Sequence, residues 1–253
     1  MSEGVNLGAA RLEEAHSDSE NRKVDLSVVM PVYNESQVID RTISRTLMEL
    51  QNSVKSHELI VVDDGSTDDS LAQMSKYNEF VRIIHYSPNR GKGYAVRKGI
   101  EMASGEHIAI YDSDLNIDPS FLTEFHLYAL RTNVDCAVGS KSVKGSEVSI
   151  PLLRKVLSTV YHLFAKLSIG LTVRDTQVGL KIFKGTVLRQ IAPALRICGY
   201  AFDVEILALA CSSGHSVVEL PIRIENDGRD TNIDLKAIAV MFIETLKIRW
   251  LHF

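Results

Sequence analysis

The 253-residue sequence has few of the features that mark several common protein classes. Its three cysteines, Cys136, Cys198 and Cys211, form an odd set without metal-ligand spacing, so we interpret them as reduced core thiols. No run of 18 uncharged apolar residues is present, and no transmembrane helix is therefore predicted. Residues 1–23 lack the apolar segment of a signal peptide and predict a flexible tail.

The sequence also lacks a surplus of basic residues. It carries 28 Lys and Arg against 32 Asp and Glu, for a formal net charge of -4 at pH 7. Nucleic-acid-binding domains usually show a basic surplus, so we expect no nucleic-acid partner. The length allows a sizeable core, and we predict one domain over residues 24–230 followed by an amphipathic helix over 231–253.

The first half of the chain alternates short apolar runs with helical patterns. This order is typical of a mostly parallel, twisted α/β sheet with helices on both faces. The predicted strands are Leu26–Val32, His57–Asp63, Val81–His85 and His107–Tyr111. In the second half we predict a strand over Ala137–Ser140, helices over Leu152–Leu167 and Phe202–Cys211, and a last strand over Val217–Ile224, interpreted as antiparallel.

The last 19 residues, Leu235–Phe253, have apolar residues at steps of three and four. This spacing places an apolar stripe on one helix face. The stripe comprises Leu235, Ala239, Phe242, Ile243, Leu246, Trp250 and Phe253. Two interpretations stay open: the stripe packs on this chain's core or a partner helix, or it lies in a membrane interface with Trp250 near the headgroups.

Two acidic clusters each follow a predicted buried strand. Asp63 and Asp64 end one strand, and Asp112, Ser113 and Asp114 follow another. Open α/β sheets bind ligands at the carboxyl ends of their strands. The second cluster fails as an EF-hand, because its sixth and twelfth positions are isoleucine and threonine. Mg²⁺ or Mn²⁺ bound to a diphosphate fits it better, and helix capping by the acids is the alternative.

Two further segments are candidates for nucleotide contacts. Pro31, Tyr33, Asn34 and Glu35 end the first strand, although this segment alone also fits an ordinary helix start. The loop Asn89–Gly93 contains Gly91 and Lys92, so its backbone and its charge suit an anion. It matches neither a P-loop nor a dinucleotide fingerprint, and a basic surface loop is the alternative.

In this order, the motifs resemble the family-2 inverting glycosyltransferases of the A-type fold. The later segments Gly139–Ser146, Arg174–Phe183 and Ala201–Glu205 narrow the resemblance to polyprenyl-phosphate sugar synthases, nearest to the dolichyl-phosphate β-glucosyltransferase branch. The resemblance implies that Pro31–Glu35 and Asp63 hold the nucleotide and that Asp112–Asp114 holds a metal and the sugar diphosphate.

For the metal and acceptor sides, the resemblance implies that Asn116 is a third metal ligand beside Asp112 and Asp114. It also implies that Lys141 and Arg154 receive the lipid phosphate, and we add Arg229 as a loose stand-in there. Asp175 is expected to orient the sugar or one of these cations, and Asp114, Asp175 and Arg154 form the predicted catalytic set. Lys141 replaces the usual arginine and loses its bidentate geometry.

The expected reaction is inverting transfer of a sugar, glucose favoured, to polyprenyl phosphate. The expected cofactor is Mg²⁺ or Mn²⁺, and the expected donor is UDP-glucose, with GDP-mannose and a mannose synthase as alternatives. A soluble relative with a hydroxyl acceptor would need a base such as Asp203 or Glu205. A non-catalytic nucleotide-sugar-binding subunit is the distant alternative. We expect a peripheral position at the cytosolic membrane face, with a homo-oligomer or a membrane subunit left open.

Overall fold

The structure is a computed structural model, and it describes residues 24–147, 152–171, 173–224 and 235–253. The tail predicted over residues 1–23 and the site residue Arg229 lie outside these described residues. Arg154 lies on a described helix, but its side chain is outside the description. Among the described residues, no helix combines the length and apolar character needed to cross a membrane.

Seven strands and eight labelled helices follow one another along the described chain. The strands are β1 (Leu26–Val32), β2 (His57–Asp63), β3 (Arg82–His85), β4 (His107–Tyr111), β5 (Cys136–Ser140), β6 (Leu180–Lys184) and β7 (Val217–Pro221). The helices are α1 (Ile39–Ser53), α2 (Ser70–Met74), α3 (Lys92–Met102), α4 (Ser120–Thr132), α5 (Leu152–Ile169), α6 (Gly185–Ile191), α7 (Phe202–Ser212) and α8 (Leu235–His252).

The strands form one sheet in the order β3-β2-β1-β4-β6-β5-β7. All neighbouring pairs are parallel except those of β6, which runs antiparallel to both β4 and β5. The predicted mostly parallel α/β sheet is therefore confirmed. The prediction of an antiparallel last strand is wrong, because β7 pairs in parallel with β5. The reversed strand is β6, whose position next to β4 no local pattern in the sequence indicated.

Apolar cores cover both faces of the sheet, because successive strand residues point to opposite sides. On one face, Val28 and Met30 of β1 pack with α1 and α4. On the other face, Val29 of β1 packs with α3 and α7. Of the three free cysteines, Cys136 is buried, whereas Cys198 and Cys211 are half-buried. The interpretation as core thiols therefore holds fully only for Cys136.

The C-terminal helix α8 has apolar residues on two of its faces. One face, with Thr245 and Ile248 buried, packs against α5 and α7. Of the predicted stripe, Ile243, Leu246 and Trp250 are exposed on another face, whereas Phe242 packs against the core. The core-packing interpretation is therefore confirmed for part of the helix, and the membrane-interface interpretation stays a prediction for the exposed apolar residues.

Two histidines pack together at the end of the sheet where β4 begins. The rings of His107 and His126 meet edge to face with centroids 5.2 Å apart. Both side chains are buried, and neither Nδ1 atom has a hydrogen-bond partner among the described residues. Burial lowers the pKa of both imidazoles, that of His126 to about 4, and the neighbouring His107 adds to this shift.

We expect acid to destabilise the protein through this pair. Between pH 6.5 and pH 4 the unfolded histidines take up protons that the folded ones cannot, so the free energy of unfolding decreases as pH falls. For His126 the expected loss is about 2–3 kcal/mol between pH 7 and pH 4. Urea unfolding at each pH measures it. In His126→Gln the slope with pH should be smaller, and an unchanged slope would contradict this assignment.

Candidate active site

The candidate site lies at one edge of the sheet, where β1, β2 and β4 have their carboxyl ends. The chain runs from β1 to β2 and β3 on one side and then crosses to β4 on the other, so β1 and β4 flank the topological switch point. Antiparallel β6 begins at this same edge, since Leu180 pairs with Tyr111. Ligands of open α/β sheets bind in the crevice that forms at such a point.

Pro31 lies within β1 and does not end its ladder as the sequence analysis expected. It pairs with Val62, and β1 stays paired with β2 through Val32. Pairing with β4 stops earlier, at Val29. Since proline has no N–H to donate, it is tolerated where only one neighbouring strand is close. The sheet therefore opens between β1 and β4 at the level of Pro31.

The segment after β1 is joined to the segment after β2. Asn34, in a left-handed conformation at φ 55°, accepts a 2.8 Å hydrogen bond from the Thr67 backbone N–H at its Oδ1. The backbone N–H of Glu35 donates to Ser70 Oγ over 2.8 Å. Tyr33 projects beside them with its ring partly exposed. The two loops thus form one wall of the crevice.

Asp63 is buried, and both of its carboxylate oxygens already have partners. Its Oδ1 accepts from the Ser66 hydroxyl, and its Oδ2 lies 2.6 Å from His85 Nδ1. The imidazole of His85 is partly exposed at the same edge. We infer that Asp63 sets the position of Ser66 and His85, the groups that a nucleotide could reach.

Asp64 organises the glycine-containing loop. Its carboxylate accepts 2.8 Å hydrogen bonds from the backbone N–H groups of Arg90 and Gly91 and from Asn89 Nδ2. The Gly93 N–H donates in turn to the Cys198 carbonyl. The expectation that this loop's backbone receives an anion is therefore wrong for these amides, because an internal carboxylate and carbonyl take them.

The loop that follows β4 is held by hydrogen bonds from two hydroxyl groups to its backbone carbonyls. The Thr42 hydroxyl donates to the Ser113 carbonyl over 2.8 Å, and the Tyr111 hydroxyl donates to the Ile117 carbonyl. Asn116 holds Asp114, because its backbone N–H and its side-chain amide both donate to that carboxylate. Asp118 accepts from the Ser120 N–H at the start of α4, so capping applies to this acid of the motif.

Four charged side chains of alternating sign follow one another beside this loop: Asp112, Lys92, Asp203 and Lys181. Lys92 Nζ at the start of α3 lies 2.6 Å from Asp112 Oδ1 and 3.9 Å from Asp203 Oδ2. Lys181 Nζ lies 2.5 Å from Asp203 Oδ1 and donates to the Val178 carbonyl. Burial alone would lower the pKa of Lys92, but the two carboxylates hold it above its usual value. Lys92 is therefore the charged group that the loop before α3 brings to the acidic motif.

The acidic loop suits a divalent cation that is shared with a diphosphate. Burial raises the pKa of Asp114, and the neighbouring Asp112 adds to this shift, so a cation placed between the two carboxylates would stabilise their ionised forms. Among the described residues, no group of three or more His, Cys, Asp or Glu could hold a metal by itself. Mg²⁺ sites commonly use one or two carboxylates together with substrate phosphates and waters, so this donor set fits.

Gly179 makes room for one of these carboxylates. A Cβ atom at this position would lie 2.5 Å from Asp112 Oδ2. The Asp112 N–H also donates to the Gly179 carbonyl over 2.9 Å. The residue that precedes β6 therefore helps to hold Asp112 in place, in addition to Lys92.

A second polar group lies at the carboxyl end of β5, on the same edge of the sheet. Lys141 binds Asp175 twice, since its N–H donates to Oδ2 over 3.0 Å and its Nζ lies 3.6 Å from the same atom. The Asp175 N–H donates to Glu219 Oε1 of β7. The structure thus places Asp175 next to Lys141. This position fits the second of the two roles considered for Asp175, which is to orient a cation.

Other predicted residues are placed less fully. Arg154 lies in the first turn of α5, which follows the Lys141 segment. Asp203 faces Lys92 and Lys181, whereas Glu205 accepts from the backbone N–H groups of Arg196 and Ile197. Of these two acids, only Asp203 therefore contacts the charged groups beside the acidic loop.

Sequence reasoning missed two contributors to this edge. Lys181 is almost fully buried within β6, and Glu219 orients the backbone at Asp175. A single lysine in the apolar run Leu180–Phe183 was the available signal for the first, because a buried lysine requires a partner. The role of Glu219 depends on the parallel β5–β7 pairing, which the sequence analysis did not predict.

Comparison with known proteins gives a consistent family. A model described as Glycosyl transferase family 2 matches residues 27–191. Glycosyltransferase AglD of Haloferax volcanii is 28% identical over 233 residues, covering 90% of this chain but only 37% of that protein. Dolichyl-phosphate beta-glucosyltransferase of Saccharomyces cerevisiae is 33% identical over 241 residues, covering 86% of this chain and 71% of that protein.

Solved structures with the same fold include glucosyl-3-phosphoglycerate synthase from Mycobacterium tuberculosis. Its complex with Mn²⁺, uridine diphosphate and phosphoglyceric acid has a TM-score of 0.67 at 21% identity, covering 94% of this chain and 82% of that chain. Its complex with Mg²⁺ and uridine diphosphate has a TM-score of 0.62 at 20% identity, covering 94% of this chain and 83% of that chain. This likeness shows the fold, in agreement with the fold that the sequence predicts.

Proposed function

Because the chain belongs to glycosyl transferase family 2, we propose that it transfers a sugar from a nucleoside-diphosphate sugar to a polyprenyl phosphate. Glucose is the favoured sugar, and dolichyl phosphate is the favoured acceptor. The observation that carries the proposal is the pair of polar groups at one sheet edge: the Asp112–Asp114 loop with Lys92, and Lys141 with Asp175. The first suits a donor diphosphate, and the second suits an acceptor phosphate.

The donor side is proposed to work through fixed charges. Asp112 and Asp114 would hold a Mg²⁺ or Mn²⁺ ion, which supplies Lewis-acid stabilisation of the leaving diphosphate. Asn116 keeps Asp114 oriented, and Gly179 leaves space for Asp112. Lys92 adds a positive charge beside the same loop, where negative charge grows as the sugar leaves.

The nucleotide would lie along the wall formed by the loops after β1 and β2. Tyr33 and His85 are the partly exposed rings there. Uridine diphosphate is favoured over guanosine diphosphate, because the solved neighbours of this fold bind the former. The choice of nucleotide and the choice between Mg²⁺ and Mn²⁺ are part of the proposal.

The acceptor side is proposed to position an anion. A phosphate monoester is already ionised near pH 7, so transfer to it needs orientation and charge rather than a strong base. Lys141 supplies a cation at the sheet edge, and the Asp175 carboxylate positions the Lys141 ammonium group through its two contacts with this residue. Arg154 and Arg229 stay proposed phosphate contacts from the sequence resemblance.

A hydroxyl acceptor is less well supported by the geometry. Such an acceptor needs a carboxylate or another base within reach of its proton. Glu205 is fully buried and is bound by two backbone N–H groups and by His252. Asp203 is buried against Lys181, and burial is the main cause of its raised pKa. Neither is an open base, and this favours an ionised acceptor.

A polyprenyl phosphate is held in a bilayer, so we propose that the chain works as a peripheral protein at a membrane surface. The cytosolic face of that membrane is the favoured side in this proposal. A homo-oligomer or a separate membrane subunit is compatible with this arrangement.

The acceptor proposal is tested with a radiolabelled donor panel and two acceptors in detergent, a polyprenyl phosphate and the matching polyprenol. We expect product from UDP-glucose and a polyprenyl phosphate with Mn²⁺, and none from the matching polyprenol. Product from the polyprenol alone would contradict the phosphate acceptor. Retained nucleotide binding without product from any acceptor would instead support a non-catalytic binding subunit. Free glucose is measured as well, because glucose that forms without either acceptor reports hydrolysis of the donor.

Substitution of Gly179 is expected to weaken donor binding. In Gly179→Ala the new methyl group must displace Asp112, and we expect the Mn²⁺-dependent affinity for uridine diphosphate to fall about tenfold or more. Isothermal titration measures this affinity. The control is Gly105→Ala, an equally crowded glycine at the opposite end of the sheet. Equal losses in the two variants would show a general effect of crowding and would contradict the specific role of Gly179.

A further inference from the structure

An exposed apolar surface is formed by α5 and α8 together. On α5, Val160 and Leu163 are about half exposed, and Leu167 is 77% exposed. On α8, Ile243 and Leu246 are about half exposed, and Trp250 is 92% exposed. Isolated exposed apolar residues are ordinary, but six on two neighbouring helices indicate a binding surface.

The two stripes meet at one pair of rings. Phe164 and Phe242 lie 4.7 Å apart between centroids, and Tyr161 and Thr245 share a 2.9 Å hydrogen bond deeper in the same contact. A helix turns by about 100° per residue, so Phe164 shares its face with residues three and four positions away. Those positions include the exposed Val160 and Leu167 and also the buried Tyr161. By the same spacing, Phe242 lies near the exposed Leu246 and the buried Thr245, so the two rings lie where the buried helix contact borders the exposed stripes.

The charges around this surface have one dominant sign. The sequence of α5 contains no acidic residue, and that of α8 contains only Glu244. Glu244 is directed inward, because its carboxylate accepts from the Ala201 N–H. The basic residues of the two helices are Arg154, Lys155, Lys166, Lys236, Lys247 and Arg249. The side chains of Arg154 and Lys155 are outside the description, and the described basic side chains include Lys166, Lys247 and Arg249 of the same two helices. Helices that combine exposed apolar residues, a tryptophan and basic residues match a bilayer surface that contains anionic lipids.

We propose that α5 and α8 form one membrane-docking face, with Trp250 at the level of the lipid headgroups. The choice of a lipid surface over a protein partner rests on the proposed function, in which the acceptor lies in a bilayer. The basic residues attract anionic lipid from a distance, and the apolar side chains enter the interface. Because α5 carries Arg154 in its first turn, docking through this face holds the acceptor side of the active site next to the bilayer.

The test uses the full chain and the fact that Trp250 is its only tryptophan. Its fluorescence is recorded with phosphatidylcholine vesicles that contain about one third phosphatidylglycerol, and with phosphatidylcholine alone. We expect a blue shift and flotation with the anionic vesicles, and at least about tenfold weaker binding to the neutral ones. No shift with either vesicle would overturn the proposal, as would a shift that appears without lipid as protein concentration rises, which indicates a second copy as the partner.

Single variants then separate a two-helix face from a single-helix anchor. Leu167→Glu on α5 and Leu246→Glu on α8 each keep the tryptophan, and each should weaken vesicle binding about tenfold. Met48→Glu on α1 makes the same kind of change at an exposed site outside the face and should bind like wild type. Loss of binding in Leu246→Glu but not in Leu167→Glu would overturn the paired face.

The outcome for docking can be told apart from that for the transfer reaction. The vesicles contain no polyprenyl phosphate and no donor, so binding to them does not require turnover. Transfer to a short polyprenyl phosphate dispersed in detergent requires no docking. Vesicle binding without transfer therefore removes the proposed function and leaves the membrane face, whereas transfer without vesicle binding removes the face and leaves the function.

Discussion

Replacing Asp114 with asparagine is expected to reduce sugar transfer by about 100-fold or more while leaving the fold intact. The substitution keeps the shape of the side chain but removes one of the two charges that suit a divalent cation. Asn116 can still contact the new amide oxygen, so the loop should keep its conformation. Initial rates with UDP-glucose, Mn²⁺ and a polyprenyl phosphate measure the loss, and thermal unfolding checks the fold.

The matched control is Asp118→Asn in the same loop. Asp118 accepts from the Ser120 N–H and pairs with Arg45, so its role is to fix the start of α4. The charge change is the same, but transfer should fall only a few-fold. Similar losses in the two variants would mean that the loop's overall charge or order matters, and that Asp114 has no special part in donor binding.

Replacing Lys181 with methionine is expected to cost about 3–5 kcal/mol of folding free energy, because it leaves Asp203 buried without its nearest partner. The Asp203 pKa is raised by burial and held back by Lys181, so it should rise further in the variant. When the pKa of a carboxyl group is higher in the folded state than in the unfolded state, the free energy of unfolding decreases as pH rises between the two pKa values. Urea unfolding at pH 5 and pH 8 should therefore show the larger loss at pH 8.

A double-mutant cycle isolates the pair. Asp203→Asn removes the charge that Lys181 neutralises, so the double variant should recover part of the stability lost in Lys181→Met. Additive losses in the two single variants would contradict a direct interaction. The same variants also change the surroundings of Lys92, because its Nζ lies near both Asp203 and Asp112. Loss of Lys181 would draw Lys92 toward Asp203, and loss of the Asp203 charge would leave Lys92 with Asp112.

The sequence was most informative where local patterns decide the structure. β1, β2 and β4 and the acidic residues after them were predicted because apolar runs ending in carboxylates are strong local signals. The helix over Leu152–Leu167 was found from its spacing and extends to Ile169 in the structure. These elements suffice to place Asp63 and Asp112 at one edge, since the carboxyl ends of parallel strands meet there.

The rest depends on contacts between distant parts of the chain. The pairing of β7 with β5, and the insertion of β6 between β4 and β5, follow from the packing of the whole sheet. Gly91 suggested an anion-binding loop, but Asp64, 27 residues earlier in the chain, takes its N–H. Lys181 was missed, because its partner Asp203 lies on a separate helix. No local pattern contains such pairings.

The most direct test of the account is a crystal structure of the full chain with Mn²⁺ and UDP-glucose. The account predicts an anomalous manganese peak between the Asp112 and Asp114 carboxylates, with the diphosphate on the same ion and near Lys92. A donor that binds elsewhere on the protein, with no metal at this loop, would contradict the central claim.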